Sequence, residues 1–110
     1  MNERLKRIAD ILDDKKAEHI EVFDLNDTDY FVDGAVIATQ QAPKHALMLV
    51  EEIRKILKPL GEEILHIDES DEWTIIDMAD ITVHIMSEAS RAKYDLEGLL
   101  KTFEERKAAR

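Results

Sequence analysis

Leu5, Ile8, Ala9 and Leu12 recur at i, i+3, i+4 and i+7, a spacing that predicts an amphipathic helix from residue 3 to about residue 17. Asp13 to Lys16 form its solvated end. From His19 to Leu25 the period changes to two, with Ile20, Val22 and Asp24 alternating against Glu21, Phe23 and Leu25, the pattern of a strand. Asn26 to Asp29 has the composition of a turn. Tyr30 to Gly34 continues irregularly, and Ala35 to Thr39 is a short apolar run that suits a central strand buried on both faces. A helix then opens with Pro43 in its first turn. Ala46, Leu49, Val50, Ile53, Leu57 and Leu60 line one side of it, charged residues fill the other, and Pro59 and Gly61 end it.

In the second half, Glu63 to Ile67 reads as an edge strand and Asp68 to Glu72 as an acidic loop. Trp73–Asp77 and Ile81–Met86 are β-branched runs around Met78-Ala79, hence a hairpin. Pairing Asp77 with Asp80 across that turn puts Thr74, Ile76, Ile81, Val83 and Ile85 on a core face. Trp73, Ile75, Asp77, Asp80, Thr82, His84 and Met86 then share the other face, where function is expected. Ser87 is placed to cap a last helix carrying Leu96, Leu99, Leu100 and Phe103, and 104–110 reads as a frayed charged tail. The order α, β, β, α, edge β, β, β, α implies a single α/β domain over 1–110, with a mixed β-sheet and helices packed against it.

At 110 residues, one core is the expectation. The chain has no cysteine, which removes thiol catalysis, disulfides and zinc–thiolate sites. Its amino-terminal segment mixes charge with apolar residues, unlike a secretory signal, and no apolar run approaches membrane-spanning length, so a soluble cytoplasmic protein is expected. The net charge of −10, from 25 acids and 15 bases, removes the electrostatic attraction to nucleic acid and leaves two readings: solubility, or a basic protein partner.

Asp77 and Asp80 with His84 could hold Mg²⁺ for phosphoryl transfer, as a metal-dependent nucleotidyltransferase or nuclease does. The simpler reading makes both aspartates turn residues, because the three glycines are isolated and form no phosphate cradle. The four histidines are too scattered for a ligand motif, and no metal or cofactor site is expected. Trp73 is either a strand-end cover of the core or an interface anchor, and Tyr94 has the same two readings. Residue chemistry alone thus stops at a small α/β binding module, with a module that acts by forming a homodimer as a further option.

The block Trp73-Thr-Ile-Ile-Asp77-Met-Ala-Asp80-Ile-Thr-Val-His84, followed by Arg91 and Tyr94-Asp95-Leu96-Glu97, resembles the signature of the ribosomal silencing factor, or Iojap, family. Asp24-Leu25, Asp33, Val36 to Thr39 and His45 extend the likeness upstream. The chain departs from the pattern at Gly34 and Ala35, where aromatic residues are common, and at Ala79, where the turn usually carries glycine. The resemblance implies a nucleotidyltransferase-like fold without catalytic apparatus. It also implies a translational repressor that binds ribosomal protein fourteen of the large subunit and sterically blocks joining of the small one. The contact is then expected on Trp73, Asp77, Met78, Asp80, His84 and Met86, extended by Arg91 and Tyr94, with Trp73 and Met86 as its apolar centre.

Overall fold

The structure, a computed structural model, describes residues 2–109. In chain order it comprises α1 (Asn2–Asp14), β1 (Glu18–Asp24), β2 (Gly34–Thr39), α2 (Pro43–Leu57) with a 3-10 turn at Lys58–Leu60, β3 (His66–Asp68), β4 (Trp73–Asp77), β5 (Ile81–Met86), α3 (Glu88–Tyr94) and α4 (Leu96–Ala108). The strands form one mixed sheet in the order β1-β2-β5-β4-β3. Only β2 and β5 run parallel; the other neighbours are antiparallel.

Both faces of this sheet are covered, which is why every residue of β2 and β5 is buried. On one face, Leu5, Ile8 and Leu12 of α1 and Leu49, Val50 and Ile53 of α2 pack on Val36, Ala38, Ile76, Val83 and Ile85. Each such side chain contributes about 1.5–3 kcal/mol on burial. The approach of α1 is close: a Cβ added at Gly34 would lie 2.8 Å from Leu5 Cδ2. A larger residue at Gly34 would therefore require the Leu5 side chain to shift. On the other face, Ala35, Ile37 and Met86 pack with Phe23, Leu25, Val32 and Leu100 of α4.

The final helical region differs from the expected single helix. Asp95 takes a left-handed conformation (φ 45°), ends α3 and caps α4 by accepting from the Gly98 amide at 3.2 Å. The expected frayed tail is instead helical through Ala108. The Asp24 amide donates to Glu104 Oε2 at 3.1 Å, and Lys107 lies 3.6 Å from Asp24 Oδ1, so β1 holds this last segment.

The hairpin register also differs. Asp77 pairs with Thr82, not Asp80, and Trp73 with Met86. Because this is a slip of two residues, and strand side chains alternate with period two, the strand residues keep their expected faces. Asp80 leaves the ladder and joins the turn, which is closed by Met78 N–H to the Ile81 carbonyl and by Asp80 N–H to the Met78 carbonyl, both 2.9 Å.

Candidate functional site

Trp73 opens β4 and His84 sits in the middle of β5, on the same side of the hairpin. The indole Nε1–H donates to His84 Nδ1 at 3.1 Å. An indole can only donate, so Nδ1 is the acceptor and Nε2 carries the proton, which it donates to Thr82 Oγ1 at 3.1 Å. Burial pushes the imidazole pKa down to about 4, so the ring is neutral at physiological pH. Tyr94 completes the group, its ring centroid 5.2 Å from that of Trp73 at an interplanar angle of 41°. It is 54% exposed, while Trp73 is half-buried beneath it. The placement of Tyr94 follows from the sequence: Ser87 Oγ accepts from the Ser90 amide at 3.1 Å, which starts α3, and Asp95 stops that helix directly after Tyr94.

The remaining expected contact residues take other places. Asp77 lies at the hairpin end, where its carboxylate accepts from the Ala79 amide at 2.9 Å. Asp80 turns toward α1: Arg4 Nη1 lies 2.6 Å from its Oδ2, while Arg4 Nε and Nη2 each donate to Glu62 at 2.8 Å. Bonding to Arg4 holds the Asp80 and Glu62 carboxyls below their usual range. Asp80 therefore serves to join α1, the 61–65 segment and the β4–β5 turn. Met78 is buried in the core beneath α1 and α2, at 3% exposure. Met86 is fully buried, because α4 folds back over its end of the sheet and places Leu100 there. Neither methionine offers surface, so Met86 is not the apolar centre of an exposed contact.

Arg91 points inward as well. Its guanidinium donates to the His19 carbonyl, to Thr39 Oγ1 at 2.9 Å and to Glu97 at 2.8 Å, with Glu21 at 3.4 Å. These bonds tie α3 and α4 to the irregular start of β1, where His19 has φ 47° and the pairing with β2 slips. The pair with Arg91 takes the Glu97 pKa down to about 2. Among the described residues, no group of three or more His, Asp or Glu side chains is gathered to hold a metal ion. Several exposed apolar residues were not anticipated, among them Phe31, 77% exposed in the β1–β2 loop, and Leu60 and Leu99, 54% and 50% exposed although the spacing placed both on apolar helix faces. The only signal for Phe31 is an aromatic residue in a segment whose pattern assigns it no inward face.

The family model described as ribosomal silencing factor during starvation matches residues 1–109. Ribosomal silencing factor RsfS of Treponema pallidum is 33% identical over 95 residues, covering 84% of this chain and 85% of the relative. The protein of the same name from Halalkalibacterium halodurans is 30% identical over 101 residues, covering 89% of this chain and 86% of the relative. A crystal structure of a Chromobacterium violaceum protein superposes with a TM-score of 0.81 at 27% identity, covering 90% of this chain and 85% of the other. One from Bacillus halodurans gives 0.77 at 28% identity, covering 90% and 94%.

Proposed function

This chain belongs to the ribosomal silencing factor family, and on that premise we propose that it represses translation by occupying the large ribosomal subunit where the small one docks. The receiving partner is ribosomal protein fourteen of the large subunit, and the contact is centred on Trp73 and Tyr94. The observation that carries the choice of face is the ordered aromatic pair. Trp73 is fixed from below by its bond to His84, and Tyr94 lies against it with half its surface in water. Rigid aromatic anchors of this kind supply binding energy with little ordering cost. The net charge of −10 favours a basic partner and speeds the encounter.

The mechanism is steric. Affinity and residence time set the degree of repression, and no bond is made or broken. An enzymatic role for Asp77 and Asp80 finds no support in the geometry, since the turn amide engages one carboxylate and Arg4 the other.

Sedimentation of the chain with isolated subunits tests the proposal. It is expected to pellet with large subunits and to stay in solution with small ones. Equal pelleting with both, or with neither, contradicts it.

A further inference from the structure

Among the described residues, Phe31 is the most exposed large apolar side chain, yet the loop that carries it is braced by its own bonds. Leu25 and Val32 anchor its two ends in the core. The Leu25 amide donates to the Asp33 carbonyl at 2.8 Å, and the Tyr30 amide to Thr28 Oγ1 at 3.2 Å. Asp33 is tied in turn to the β4–β5 turn, its amide donating to the Asp80 carbonyl at 2.9 Å. Phe31 stands on the Tyr30 ring, centroids 4.6 Å apart, and Tyr30 meets Phe103 of α4 edge-on at 5.1 Å. The result is a backed aromatic wedge presented to water.

Its position and surroundings indicate the occupant. Tyr30, Phe103 and Trp73 all border the same core cluster, so the wedge rises from the sheet face that carries the Trp73–Tyr94 pair. The loop that carries Phe31 holds Asp29 and Asp33 with no lysine or arginine from Glu18 to Ala42, whereas Glu21 and Asp24 on β1 are already paired with Arg91, Lys101 and Lys107. Acids around an exposed aromatic suit a basic protein surface with an apolar recess, and repel a phosphate backbone.

We infer that the Tyr30–Phe31 loop is a second anchor of the ribosomal contact, with Phe31 seated in an apolar recess on the basic protein that receives Trp73. This rests on the proposed function. The wedge widens the footprint beyond the Trp73–Tyr94 pair and restrains rotation about it, so that the bound domain holds one orientation.

Titration of isolated large subunits with Phe31→Ala and Phe31→Tyr, read by sedimentation at low and moderate salt, tests the inference. Because Phe31 is 77% exposed, both variants keep the wild-type unfolding midpoint. Phe31→Ala weakens binding about tenfold or more at both salts, and Phe31→Tyr restores most of it. Asp29→Asn flattens the salt dependence. Phe31→Ala binding like wild type while Trp73→Ala binds weakly overturns the second anchor and leaves the functional reading standing. Wild-type chain that fails to bind large subunits removes both. A Phe31→Ala variant that loses only self-association, seen by light scattering, assigns the wedge to a second copy of the chain and overturns the inference.

Discussion

Trp73 and His84 are joined by a hydrogen bond that requires the imidazole to be neutral: the indole Nε1–H donates to Nδ1 at 3.1 Å, and Nε2–H is directed at Thr82. A second proton on this ring would meet the indole N–H head on. The unfolded chain binds that proton near pH 6.5, whereas burial in the fold delays it to about pH 4. Between these values the unfolded state holds more protons, so stability is full above about pH 6.5 and falls as the pH drops toward 4. Denaturant unfolding at pH 7 and pH 5 should differ by roughly 2 kcal/mol through this group. Glu21, raised by its neighbour Glu97, acts in the opposite direction, so the comparison with His84→Asn isolates the histidine. An equal pH slope in both proteins would remove His84 from the explanation.

Much of this arrangement is legible in the sequence, for a definite reason. The alternation in Trp73–Asp77 and Ile81–Met86 assigns faces by parity, so a register slip of two residues left Trp73 and His84 on one side and Ile76 and Val83 on the other. What the alternation lacks is any information about what arrives from elsewhere in the chain. Arg4 lies 76 residues before Asp80 and takes that carboxylate for itself. Leu100 reaches Met86 only because α4 folds back, and that reversal depends on a left-handed aspartate, Asp95, with no glycine to announce it. Arg91 belongs to the same helix as Tyr94, and only the packing of α3 decides which of them faces solvent.

Ala79 occupies the centre of the β4–β5 turn at φ 71°, a region that costs an L-residue about 1–2 kcal/mol. Part of the gain from glycine is offset by its greater freedom in the unfolded chain. Ala79→Gly should therefore raise stability by roughly 0.5–1 kcal/mol, with large-subunit binding unchanged. A loss of stability on thermal unfolding would show that the turn is not under this strain.

Asp80→Asn and Arg4→Met should both lose stability, the second more. Each removes the pair between α1 and the turn, which is partly exposed (31% and 39%) and so contributes only about 1 kcal/mol after solvent screening, and Arg4→Met also releases Glu62. Both variants should lose stability and keep the salt dependence of ribosome binding. A flattened salt dependence in Asp80→Asn alone, with stability intact, would return Asp80 to the contact surface.

The central claim is that occupation of the large subunit by the Trp73–Tyr94 face prevents joining of the small one. The most direct measurement is the fraction of joined ribosomes, resolved by density-gradient sedimentation, as the chain is titrated onto large subunits before small ones are added. Joined particles should fall with increasing wild-type chain. For Trp73→Ala, confirmed folded by its unfolding transition, the curve should move about 30-fold or more to higher concentration, as expected for loss of an anchor worth about 2 kcal/mol or more. Joining that is indifferent to the wild-type chain, or blocked equally well by folded Trp73→Ala, would contradict it.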